Sequence, residues 1–298
     1  MNKFNDDKFG TKVNLFKNYL LIDKKYSNKT INSYINELYK FYIFIKDKDF
    51  DKINKEDILN YINYLKKQNL ANCSINHNIS VLRSFYKFLA VNDKIEDPMQ
   101  YIEVPKLNKT LPSVLSYEEL EKLLDVDLTN KYSYRNKAML ELMYATGLRV
   151  SELVNLKIND IDFDLCVVKT LGKGSKERII PIGDYAIYFV IKYLKEYRPQ
   201  LLKKQNTDYL FLNNKGFNIS RQAFYKIVED LALKKQIKTK ISPHTLRHSF
   251  ATHLLDRGAD IVSIKELLGH SSLSTTQIYT HISNQKLQNE YKKFHPHG

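Results

Sequence analysis

The sequence predicts a mainly α chain of two domains: an N-terminal four-helix unit, then a C-terminal α+β unit with a small antiparallel β-sheet. Three observations predict it. Apolar residues recur at helical spacing from residue 11 to residue 97, and Gly10 is the only glycine in the first 146 residues. A stretch with two prolines and no helical period interrupts the pattern at residues 104–112. Helical stripes then resume, broken at residues 158–182 by short β-branched runs around a glycine-rich turn.

Leu15, Tyr19, Leu20 and Ile22 begin the first stripe. Ile31, Tyr34, Ile35, Leu38, Phe41, Tyr42 and Ile45 carry it through residues 30–45. Ile58, Tyr61, Ile62 and Leu65 share a face over residues 57–67. Ile75, Ile79, Leu82, Phe85, Tyr86 and Leu89 do the same over residues 74–91. Such stripes suit a bundle whose tyrosines lie in the core. Residues 104–112 are basic and extended, so they read as a linker. The expected division is therefore a domain at 1–103, a linker at 104–114 and a domain at 115–298.

Ser116, with Glu119 three residues on, is a capping box ahead of Leu120, Leu123 and Leu124. Residues 136–144 form an apolar helix that ends at Thr146 and Gly147, a glycine suited to a helix C-terminus. Arg149 and Glu152 follow, three apart, so the carboxylate can hold the guanidinium fork; alone, this is a surface ion pair. Strand material at 162–163 and 166–168 leads to the turn Leu171-Gly172-Lys173-Gly174-Ser175-Lys176 and a second strand at 178–181. Lys173 sits at the hairpin tip, where by itself it reads as an ordinary turn lysine. No GxxxxGK[ST] pattern opens a helix here, so this is not a nucleotide-binding loop. Helices are expected at 184–197 and 220–233, with a short apolar strand at 209–212 between them.

Ser242 is a good N-cap, and Pro243 suits the first position of a helix running to about Asp256 and stopping at Gly258. Asp260 caps residues 261–268, Gly269 ends that helix, and His270 follows at its C-terminus. A short helix from 271 carries Tyr279 and His281, and residues 284–294 form a last amphipathic helix. His244 and Arg247 lie in the first turn after Ser242, where free N–H groups and the helix dipole attract phosphate. These residues read as a phosphate site with a proton-transfer group beside it, or as a capped helix with a surface arginine and a buried histidine. Metal binding through His244 and His248 lacks a third ligand.

The chain of 298 residues carries a net charge of +14, and its pI is about 9.4. Residues 1–110 hold 19 basic and 13 acidic side chains and the rest hold 28 and 20, so both halves are basic. Two basic domains suggest a clamp around a long polyanion, most simply nucleic acid. Asn76, His77, Arg83 and Lys87 either face a DNA groove or form a solvated helix face, and the pattern favours the second. Cys73 and Cys166 form no metal or redox motif and fit a reduced cytoplasm. The first seven residues hold acids and no apolar core, unlike a signal peptide, and no apolar run approaches a membrane span.

Five ordered motifs carry a resemblance: Ala-Thr-Gly-Leu-Arg149-Val-Ser-Glu152-Leu, Gly-Lys173-Gly-Ser-Lys-Glu-Arg, His244-Thr-Leu-Arg247-His-Ser-Phe-Ala-Thr-His-Leu, Leu-Leu-Gly-His270 and Thr-Gln-Ile-Tyr279-Thr-His. Over nearly its whole length the chain resembles the tyrosine site-specific recombinases of the phage integrase family. The Xer group is nearest, and residues 267–281 and the ending Phe-His-Pro-His-Gly lean towards the XerD type. The resemblance implies an N-terminal core-type DNA-binding domain and a C-terminal catalytic domain, together forming a C-shaped DNA clamp.

It also implies catalytic roles. Tyr279 is the nucleophile, leaving a 3′-phosphotyrosine and a free 5′-hydroxyl. Arg149 and Arg247 hold the non-bridging oxygens, Lys173 is the general acid for the 5′ oxygen, His244 is the proton acceptor, and His270 donates to the phosphate. Glu152 supports Arg149. A tyrosine of pKa about 10 is a poor nucleophile unaided but a good leaving group on religation. The arginines stand where many nucleases use metal ions, so no cofactor is expected. The implied partners are double-stranded DNA at a dif-like site, a homo- or hetero-tetramer with a paralogous Xer recombinase, and an FtsK-type DNA translocase. The implied process is chromosome-dimer resolution through a Holliday junction, in the cytoplasm at the nucleoid. The alternative is the integrase or resolvase of a mobile element. The final helix either docks on a neighbouring protomer or folds back on its own domain.

Overall fold

A computed structural model describes residues 8–46, 48–104, 113–171, 177–203, 205–268 and 293–295. The chain falls into two compact units, Met1–Thr110 and Leu111–Gly298. The first contains α1 (Lys8–Ile22), α2 (Asn28–Ile45), α3 (Lys55–Lys67) and α4 (Asn72–Asn92), with a 3₁₀ turn at Phe50–Lys52. Ser27 caps α2 by accepting the Thr30 N–H. Helix α3 starts ahead of its apolar stripe because Asn54 and Asp57 close a capping box.

The stripes meet in an aromatic core. Phe16, Phe41, Phe50, Tyr61, Phe85 and Tyr86 are all buried. Phe50 meets Phe85 edge-on at 4.8 Å, and Phe41 meets Tyr61 at 5.0 Å, geometries that favour aromatic pairs beyond their burial. The face at Asn76, His77, Arg83 and Lys87 is divided. His77 Nε2 lies 3.2 Å from the Ser33 hydroxyl, and Lys87 is exposed. Arg83 instead donates to the Ile102 carbonyl at 2.7 Å, so it anchors the chain where it leaves this unit.

The second unit contains α5 (Tyr117–Leu124), α6 (Lys131–Thr146), the single turn α7 (Val150–Leu153), β1 (Ile161–Asp162), β2 (Val167–Leu171) and β3 (Glu177–Pro181). It continues with α8 (Asp184–Lys192), α9 (Arg198–Leu202), α10 (Arg221–Lys234), α11 (Pro243–Asp256) and α12 (Ile261–Leu268). The strands form an antiparallel sheet in the order β1-β2-β3, with Val168 opposite both Ile161 and Ile180. Helix α6 is the centre of the unit: its residues from Ala138 to Thr146 are buried on every side. Helices α8 and α9 are continuous through a π-helical turn at Tyr193–Tyr197, so the helix expected at 184–197 runs on to Leu202. Among the described residues no helix is long and apolar enough to cross a membrane.

One expected element is absent. Residues 209–212 join no ladder and make only isolated bridges, Lys157 with Tyr209 and Leu212 with Asn218. Leu210, Phe211 and Leu212 are fully buried, as an inner strand's side chains would be. Their backbone is satisfied differently. The Leu210 N–H donates to Leu156 O at 2.8 Å, and Arg198 Nε and Nη2 take the Tyr209 carbonyl at 3.1 and 2.7 Å. A guanidinium fork stands where a neighbouring strand would stand.

The start of the second unit is tied to α11. The Leu115 N–H donates to Ser249 Oγ at 2.9 Å, and His253 Nε2 lies 2.8 Å from Leu115 O. A carbonyl only accepts, so Nε2 carries the hydrogen, and Nδ1 accepts from the Tyr144 hydroxyl at 3.1 Å. The ring stacks on Tyr117 at 4.1 Å. Burial lowers the His253 pKa, against the hydrogen bond to Leu115. The unfolded chain therefore binds a proton near pH 6.5 that the folded chain refuses, and stability falls as pH drops below about 6.5. His253→Gln is expected to flatten the dependence of the melting temperature on pH between about 7 and 5. An unchanged slope would exclude His253 as the group responsible.

Candidate active site

Helix α6 must stop before Arg149, and Gly147 stops it. Its φ of +58° lies in the left-handed region, and its N–H caps the helix on Met143 O. The chain re-enters a helix at once, with Arg149 at the N-cap of α7. Glu152 reaches back to this start. Its Oε2 accepts the Arg149 backbone N–H at 2.8 Å, and its Oε1 accepts Arg149 Nη1 at 2.9 Å.

The pair is not a surface pair. Glu152 is also held by Arg178 of β3, whose Nη2 donates to Oε2 at 2.7 Å and whose Nη1 donates to Oε1 at 3.2 Å. Burial pushes the Glu152 carboxyl pKa up, but the Arg178 fork, the Arg149 N–H and the Arg149 guanidinium outweigh it. The carboxyl titrates below its ordinary range. Arg178 Nε is buried without a hydrogen-bond partner among the described residues.

Helix α11 brings in the second arginine. Ser242 accepts the Thr245 N–H, and Pro243 takes the first helical position, as the sequence predicts. His244 is exposed, with its ring 6.5 Å from that of Tyr225. Arg247 is only 8% exposed. The reading of a surface arginine beside a buried histidine is thus inverted. Arg247 Nη1 donates to Gly147 O, and Nη2 donates to Leu268 O at 2.6 Å. Its guanidinium joins the end of α6 to the end of α12. Burial lowers its pKa to about 10; the charges of Arg149 and Arg178 push the same way, and Glu152 opposes them. Even so, it stays charged at neutral pH.

Three guanidiniums therefore gather around one carboxylate, with a net charge of +2 among these four side chains. Such a cluster attracts an anion, and planar forks suit phosphate oxygens. The expected residues Lys173, His270 and Tyr279 lie in segments 172–176 and 269–292, outside the described residues. Among the described residues no group of histidine, cysteine and acidic side chains could hold a metal.

Most of the expected last helix also lies outside, but its end is described. Phe294 packs on the apolar core of the second unit, and His295 is buried 5.0 Å from the Tyr144 ring and 5.7 Å from the Phe250 ring. These two residues fold back on their own unit.

Sequence reasoning missed Arg178 as a site residue. It closes the Gly-Lys-Gly motif, but the carboxylate it grips lies 26 residues upstream, and nothing local marks that pairing.

Residues 113–286 match the phage integrase family, and residues 13–92 match the phage integrase N-terminal SAM-like domain. The chain is 45% identical to tyrosine recombinase XerD of Oceanobacillus iheyensis over 94% of its length and 97% of that protein. It is 43% identical to tyrosine recombinase XerD of Listeria innocua over 94% and 97%. Among solved structures, a XerH site-specific recombinase bound to its difH substrate before cleavage superposes with a TM-score of 0.66. That match is at 26% identity and covers 93% of this chain and 83% of the other.

Proposed function

Because the chain belongs to the phage integrase family, as a tyrosine site-specific recombinase that breaks and rejoins DNA, we propose that it resolves chromosome dimers at a dif-like site. The observation that carries the reading is the meeting of Arg149 and Arg247. They arrive on separate elements, and a hydrogen bond spanning 100 residues, Arg247 to Gly147, holds them together. The match to XerD relatives over nearly their whole length supports a Xer role over the mobile-element alternative.

In the proposed reaction, the Tyr279 oxygen attacks the scissile phosphorus, forming the phosphotyrosine bond as the bond to the 5′ oxygen breaks. His244 accepts the phenolic proton, and Lys173 delivers a proton to the departing 5′ oxygen. Arg149, Arg247 and His270 bind the non-bridging oxygens, whose charge grows in the transition state. The energy of the broken diester is kept in the new one, so religation needs no nucleotide. Four protomers, alike or paired with a paralogous Xer recombinase, would exchange strands pairwise through a Holliday junction, with an FtsK-type translocase as a further partner. Phosphate contacts would dominate affinity, so binding would weaken steeply with salt.

Covalent trapping tests the reading. Nicked duplexes bearing candidate palindromic sites from the protein's own genome are incubated without metal or nucleotide and run on a denaturing gel. The expected result is a DNA-linked band for the wild type and none for Tyr279→Phe. A band that persists in Tyr279→Phe would overturn the nucleophile assignment. Trapping only on duplexes from a mobile element's ends would favour the alternative substrate.

A further inference from the structure

We propose that Arg178 is a positioning residue for strand cleavage: through Glu152 it fixes the Arg149 guanidinium and keeps the carboxylate from cancelling that arginine's charge at the scissile phosphate. The inference rests on the placement of Arg149 at that phosphate.

The Glu152 side chain is 9% exposed and that of Arg178 is 10% exposed, so little water can substitute for either. A carboxylate offers about four lone-pair directions. Here four donors fill them: the Arg149 N–H and Nη1, and Arg178 Nη1 and Nη2. Glu152 is thereby held from two sides and can turn in neither direction. Arg149, whose own Nη1 is one of the four, inherits that rigidity.

Charge makes the second argument. Paired with Arg149 alone, Glu152 would cancel the arginine, and the phosphate would meet half of a neutral ion pair. Arg178 supplies the compensating charge, so the triad carries +1. Among the described residues, the charged groups facing Glu152 are Arg149 at the start of α7, Arg178 on β3 and Arg247 on α11, all positive. Arg178 also lies five residues beyond Lys173 on the strand that opens after that loop. One side chain thus links the strand beside the proposed general acid to the helix start that presents Arg149.

The test measures single-turnover covalent trapping on the nicked duplex, and DNA affinity by mobility shift, for Arg178→Met, Arg178→Lys, Glu152→Gln and Arg178→Met/Glu152→Gln. Arg178→Met is expected to slow trapping about a hundredfold, as for a group displaced by an ångström, with affinity near wild type. Lysine keeps the charge but loses the fork, so Arg178→Lys should recover part of the rate. The two single losses should not add in the double variant, because both act through one contact. Additive losses, or a loss of affinity equal to the loss of rate, would each overturn the proposal. Should Arg178→Met not fold, a wild-type rate for Arg178→Lys would overturn it as well. Arg149→Ala separates the two readings. If it still traps DNA, the site assignment fails; if it does not and the Arg178 variants behave as wild type, only this inference fails.

Discussion

Arg247→Ala is expected to slow covalent trapping by about a thousandfold or more, since one preorganised donor at a developing oxyanion is worth about 10²–10³ in rate and the proposed mechanism has this arginine give two. It should destabilise the second unit as well. Arg247 is buried and donates to Gly147 O and Leu268 O, which alanine would leave without that donor. Hydrogen bonds to charged groups contribute about 1.5–3 kcal/mol each, so the loss is of the order of several kcal/mol, less where water enters. Lysine can restore the charge but cannot span both carbonyls, so Arg247→Lys should regain part of the stability and little of the rate. Trapping kinetics and thermal unfolding measure the two effects. Trapping by Arg247→Ala within tenfold of wild type would remove the residue from the reaction.

The second large effect is expected at Gly147. A Cβ there would lie 2.5 Å from Phe250 Cδ1 and 2.8 Å from Cε1, on a backbone whose φ is +58°. The left-handed conformation costs an L-residue about 1–2 kcal/mol, and forcing an extra carbon into a packed core costs about 1–3 kcal/mol more. Gly147→Ala should therefore lose about 2–5 kcal/mol of stability, read as a lowered melting temperature. Activity should suffer beyond what unfolding explains. Phe250 lies on α11 three residues from Arg247, and Gly147 O is one of the carbonyls that hold the guanidinium. Moving the ring or the carbonyl moves the arginine. A Gly147→Ala protein that melts and cleaves like wild type would show that α11 yields freely here, and that the packing is not what sets Arg247.

The features legible in the sequence are those encoded within one helical turn. The Ser116 and Ser242 caps, the Gly147 terminus and the apolar stripes of α2, α3 and α4 all rest on residues within four positions of one another. The Arg149–Glu152 contact is of the same kind. What was not legible depends on residues distant in the chain. Residues 209–212 have the composition of a strand, but Arg198 takes the carbonyl groups a strand neighbour would need. The Arg178 clamp on Glu152 and the His253 bridge from Tyr144 to Leu115 join positions 26, 109 and 138 residues apart. The burial of Arg247 beside an exposed His244 follows from what packs on each face of α11, and helical spacing is silent on that.

Anchors on either side of the boundary between the units fix how much chain lies between them. Arg83 holds the chain at Ile102, and Ser249 and His253 hold it again at Leu115, so about a dozen residues lie between the two anchored positions. At ~3.5 Å per residue their reach is at most about 45 Å. Were both units to contact one duplex, as the proposed recombination requires, the length of chain alone would keep the second contact within that radius of the first anchor. Releasing either anchor lengthens the stretch between them, so Arg83→Ala is expected to weaken binding of the whole chain to DNA, read by mobility shift.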